Sequence, residues 1–112
     1  MASNYRGEGD VLPLTAPIGG VTSGSAYLIS GLLVVAMDTA GQGQPFSGKT
    51  TGLFVLPKAT GEAWTQCQKL YWDDTNKRLT TTASGNTLVG VAAKPAGSTD
   101  TVGEVRLDGV TR

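Results

Sequence analysis

With 112 residues the chain has the length of one domain, able to bury roughly two thirds of its unfolded surface. Sixteen glycines, few aromatic residues and a charged fraction of 16% favour short strands and many turns over helices. Nine acids balance nine bases, so no field draws the chain to DNA, RNA or an anionic membrane; without histidine and with Cys67 alone, Ser-His-Asp triads, His-based metal sites, thiolate cages and internal disulfides are excluded.

Residues 1–10 read as an extended polar arm, and residues 11–112 as a single β-domain. The arm has neither a basic stretch nor an apolar core, so it does not read as a secretion signal. Val11–Ala16 is extended, and Pro13, which lacks a donor, suits an edge strand. Pro17-Ile18-Gly19-Gly20 turns. Ala26–Ile29 and Leu32–Met37 flank Ser30-Gly31 as a hairpin, followed by a loop over Asp38–Gly43. The longest apolar run, Leu28–Met37, contains Ser30 and Gly31 and is too short to cross a bilayer. These features predict a soluble chain made in a cytoplasm.

Thr51–Leu56 is an apolar strand stopped by Pro57, and Pro57–Trp64 is the one place for a helical turn, limited by Gly61. Lys69–Ala92 then reads as a three-stranded meander. Leu70-Tyr71-Trp72 is a strand, Asp73–Lys77 a turn built on Asx side chains, Arg78–Thr82 a second strand, Ser84-Gly85-Asn86 a turn, and Thr87–Ala92 the third strand. Lys94–Asp100 is a polar loop. In the last strand, Val102–Asp108, Gly103, Val105 and Leu107 face one way and Glu104, Arg106 and Asp108 the other. A weak internal repeat aligns Val21–Ile29 with Trp64–Trp72, and Leu32–Ala36 with Leu88–Ala92. True duplication and the ordinary likeness of two strands both fit it. The expected fold is all-β: a compact antiparallel β-barrel or β-sandwich, of a β-tulip-like kind, with the arm extended from it.

Gly43–Thr50 is a literal match to the phosphate-binding pattern G-x-x-x-x-G-K-T. That loop works by leading directly into a helix whose N-terminal amides hold the phosphates. Here Thr50 precedes Thr51-Gly52-Leu53-Phe54-Val55-Leu56-Pro57, which is β-branched, aromatic and closed by proline. Nucleotide binding, as in a recombination accessory protein, therefore stands only as an alternative. Asp73-Asp74 fits a turn better than a calcium loop, because carboxylates at the required following offsets are missing. Trp64, Tyr71 and Trp72 read as core or partial core, with a carbohydrate-stacking platform as the rival reading. Cys67 reads as an inert small hydrophobe, and nothing marks any of the five lysines as buried.

Asn4 to Pro17 (N-Y-x-x-x-G-D-V-L-x-L-T-A-P), Gly19–Gly24, Leu56–Lys58, Trp64–Gln66, Lys69–Asp73 and Val105–Gly109 form a series of short segments that together span nearly the whole chain. In this order they closely resemble the capsid decoration, or cement, proteins of tailed phages. The resemblance implies a β-rich virion protein without enzymatic activity or cofactor, made in the host bacterial cytoplasm. It would sit on the outer capsid surface, bind the major capsid protein and stabilise the assembled head, as a trimer. Cys67 departs from the glycine that relatives tend to place there. An arm that adds as a strand to an exposed sheet edge would make Asn4, Tyr5 and Arg6 the contacts with capsid or neighbouring subunit, together with Val11 and Leu12.

Overall fold

Apolar and β-branched runs separated by glycine-rich turns become nine strands in a computed structural model, which describes residues 9–111. They are β1 (Val11–Thr15), β2 (Ala26–Ile29), β3 (Leu32–Ala36), β4 (Pro45–Lys49), β5 (Thr51–Pro57), β6 (Lys69–Asp73), β7 (Arg78–Thr80), β8 (Thr87–Ala92) and β9 (Val102–Asp108). All pair antiparallel, in a four-stranded sheet of order β1-β4-β3-β2 and a five-stranded sheet of order β5-β9-β8-β6-β7. The all-β expectation holds, and Pro13 lies in the edge strand β1.

Two local expectations are corrected. Pro57–Trp64 forms no helical turn: Pro57 completes β5, Lys58 bridges Leu79, and Thr60-Gly61 turns. Lys69–Ala92 is not a meander, because β6 lies between β7 and β8 and the chain crosses from one side of β6 to the other. The Glu62 carboxylate holds that crossing, accepting hydrogen bonds from Thr80 Oγ1 (2.7 Å) and the Thr81 amide (2.9 Å). Pro45–Lys49, to which the sequence assigned no element, is also a strand. Phe46 and Gly48 face the buried side while Lys49 pairs beside Val11 and Val35.

The two halves of the chain share one topology. β1, β2, β3 and β4 correspond to β5, β6, β8 and β9, with β7 inserted in the second half. The register is the same: Val11 opposes Lys49 as Leu53 opposes Arg106, and Ala26 opposes Val35 as Lys69 opposes Val91. The connections match as well. Val21 bridges Ala40 where Trp64 bridges Ala96, and the Gly24 and Cys67 amides each donate to an alanine carbonyl, Ala36 and Ala92, at 2.8 Å. The Ala16 amide donates to Gln44 O at 2.8 Å as that of Lys58 does to Thr101 O at 2.9 Å. The repeat legible in two segments is thus a structural duplication of four strands.

The larger core gathers Leu56, Trp64, Leu70, Trp72, Leu79, Val105 and Leu107 of the second half with Ala26, Leu33 and Val35 of the first, and so joins the two sheets as a sandwich. Each of its large side chains contributes roughly 1.5–3 kcal/mol by leaving water. A smaller cluster, Ala16, Val21, Val34, Ala36 and Phe46, lies on the opposite face of the first sheet. Beyond β5, the Ala59 amide donates to the Leu79 carbonyl at 2.8 Å, which curls the second sheet towards closure as a barrel.

Candidate functional site

Asn4, Tyr5 and Arg6 lie outside the described residues. Asp10, just before β1, is firmly held. Lys49 Nζ donates to Asp10 Oδ2 at 2.7 Å, while the amide and hydroxyl of Thr50 both donate to the Asp10 carbonyl, at 2.7 and 3.0 Å. The Lys49 bond and charge hold the Asp10 carboxyl below its ordinary value. Val11 is 42% exposed and Leu12 half-buried, at the start of an edge strand whose outer side faces no other strand of its sheet.

The same contacts dispose of the phosphate-loop reading. Gly43 lies in a turn, Pro45 to Lys49 are extended, β5 follows at once, and Lys49 is engaged by Asp10. The helix N-terminus that would hold phosphate is replaced by a strand. At Asp73-Asp74 the carboxylates are spent on the turn. Asp73 Oδ1 accepts from the amides of Thr75 (3.1 Å) and Asn76 (3.2 Å), and Asp74 Oδ1 from Trp72 Nε1 (3.1 Å) and Lys77 Nζ (2.8 Å). The Asn76 side chain lowers the Asp73 carboxyl and Lys77 lowers that of Asp74, each against some desolvation. Among the described residues no group of three His, Cys, Asp or Glu is placed to hold a metal.

Trp64 and Trp72 are both buried, as expected for core residues, and offer no stacking platform to a sugar. Cys67, read as an inert small hydrophobe, is exposed, with a φ of 64°. Lys58, which no sequence signal singled out, is 3% exposed. Its ammonium donates to the Ala59 carbonyl at 2.9 Å and lies 5.7 Å from the Trp64 ring centroid, an arrangement that stabilises a cation out of water. It occupies the place of buried Ala16 in the first half, so it packs the core and is not offered to a substrate.

Several large apolar side chains are also exposed. Leu53 (62%) and Val55 (63%) project outward from β5, with Val102 beside them opposite Pro57. Ile18 projects from the turn after β1. Two adjoining cavities of about 310 and 530 Å³ follow the free edge of β2 and share Tyr27 and Lys77. Such surfaces suit contact with another protein better than chemistry on a small molecule.

Compared with known families, residues 7–107 match the model of the phage cement proteins. No curated protein and no solved structure matches the chain.

Proposed function

The chain belongs to the phage cement protein family, whose members are non-enzymatic structural proteins of the virion that stabilise the capsid, and within that role we propose that it binds the major capsid protein on the outer surface of the shell as a homotrimer. Asn4, Tyr5, Arg6, Val11 and Leu12 lie at the boundary with capsid or neighbouring subunit. The observation that supports this reading best is the edge position of β1. Its outer side, which no described strand pairs, and exposed Val11 sit beside a clamp, Asp10 with Lys49 and Thr50, that fixes the backbone just before β1. Main-chain bonds along such an edge give affinity without needing charge. The net charge of zero leaves subunit association to apolar and backbone contacts, which gain from the crowding of copies on a lattice.

Deleting Ala2–Arg6 tests the contact assignment. The truncated protein should fold as before and bind undecorated heads more weakly than the full chain. Equal binding by both would remove the arm from the interface.

A further inference from the structure

In the second half of the chain β6 is paired on both sides, by β8 and by the three-residue strand β7. Leu79 of β7 is fully buried, and its backbone reaches Lys58 beyond β5, so the sheet folds over its own core. In the first half β2 stands where β6 does, and Ala16 where Lys58 does. The tight Ser30-Gly31 turn between β2 and β3, however, leaves no chain for a counterpart of β7. β2 therefore ends its sheet. The apolar face next to it is incompletely covered: Tyr27 is half-buried where the equivalent Leu70 is fully buried, and Leu14, Ile29 and Leu32 are likewise only partly buried.

The larger of the two cavities, about 530 Å³, opens at this vacancy. It lies between Pro17–Gly20 and Tyr27-Leu28, the two segments that a fifth strand would have to bridge. We propose that this groove takes up an extended segment of the capsid shell, which adds beside β2 as the missing fifth strand. The chemistry of the occupant is given by β7 itself: one large aliphatic side chain entering the apolar face, flanked by polar residues, as Leu79 is by Arg78 and Thr80. At the mouth Lys77 and Asp74 neutralise each other at 2.8 Å, which favours an uncharged segment. Among the edge strands of a second copy, β1 fits less well because it carries Pro13 in its middle, and β7 and the end of β5 are engaged with each other through Leu79 and Lys58. So short a strand buries far less than the roughly 800 Å² per partner of a stable interface, so the groove adds to the other contacts and does not replace them.

This inference rests on the family's capsid role and is tested by hydrogen–deuterium exchange of the β2 amides, residues 26–29, in free protein and on fully occupied heads. On the heads these amides should exchange on the order of tenfold more slowly. A synthetic peptide of residues 1–8, added in excess to the free protein, should leave them unchanged. Unchanged β2 exchange on heads whose occupancy is confirmed by co-sedimentation would overturn the groove alone. Protection by the peptide would reassign the groove to a neighbour's arm and equally overturn the proposal. Failure to co-sediment at all would overturn the capsid role and the groove with it.

Discussion

The indole of Trp64 occupies the space that a side chain on Gly103 would need: a Cβ there would lie 2.3 Å from Cζ3 and 2.6 Å from Cη2. The equivalent pair in the first half is Val21 and Phe46, both buried in the smaller cluster. The large residue therefore comes from β4 in one half and from the loop before β6 in the other, on one conserved backbone register. Close packing permits such an exchange only when both members change together.

Gly103→Phe alone should therefore destabilise the protein by about 3 kcal/mol, at the upper end for overpacking. Trp64→Val alone should cost about as much through the cavity it leaves. The double variant copies the first half's pair, and in a denaturation series its cost should fall well short of the sum. Simple additivity would show that the two sites do not share one space.

Cys67 and Gly24 occupy equivalent positions, with φ of 64° and 87°. A left-handed backbone disfavours any residue with a Cβ, and nothing lies within 4 Å of a Cβ added at Gly24, so the cost there is purely conformational. Gly24→Ala should lose about 1 kcal/mol, whereas Cys67→Gly should leave thermal stability unchanged or raise it slightly. A fall in melting temperature for Cys67→Gly would mean that the thiol makes a contact worth more than the strain.

Position 67 also shows what the sequence can and cannot convey. The likeness of Val21–Ile29 to Trp64–Trp72 is legible because both segments keep the turn and the apolar strand after it. The partner strands diverge to Pro45-Phe46-Ser47-Gly48-Lys49 and Val102-Gly103-Glu104-Val105-Arg106, so only the hydrogen-bond register betrays their kinship. β4 escapes a propensity reading because it holds proline, serine and glycine and imitates a phosphate loop. The place of β7 on the far side of β6 depends on Leu79 finding Lys58 beyond β5, a contact that no local pattern encodes. The free edge of β2 is equally hidden, since it is defined by a strand that the first half lacks.

Glu62 should make stability fall in acid. Burial pushes its carboxyl up, but the bonds from the Thr81 amide and the Thr80, Thr81 and Thr82 residues outweigh this and leave it below its ordinary value of 4.5. A group lowered in the folded state stabilises fully above its ordinary value and loses that contribution as pH falls through the folded one. Denaturation midpoints should thus hold from pH 8 to about 5 and drop below about 4.5. Asp10, Asp73 and Asp74, lowered from 3.8, add to the loss further down. For Glu62→Gln the gap from the native protein should be widest near neutrality and narrow in acid. A gap that stays constant with pH would show that the carboxylate charge contributes nothing at this crossing.

The role of the protein on the head is tested most directly by heat. A ligand that binds the assembled lattice and not its separated subunits stabilises the lattice by linkage. Decorated heads and heads stripped of this chain should be heated side by side, with full occupancy of the decorated sample confirmed beforehand. Decorated heads should rupture at the higher temperature, and stripped heads should regain that temperature when the purified protein is added back. Equal rupture temperatures at full occupancy would mean that the protein coats the shell without cementing it.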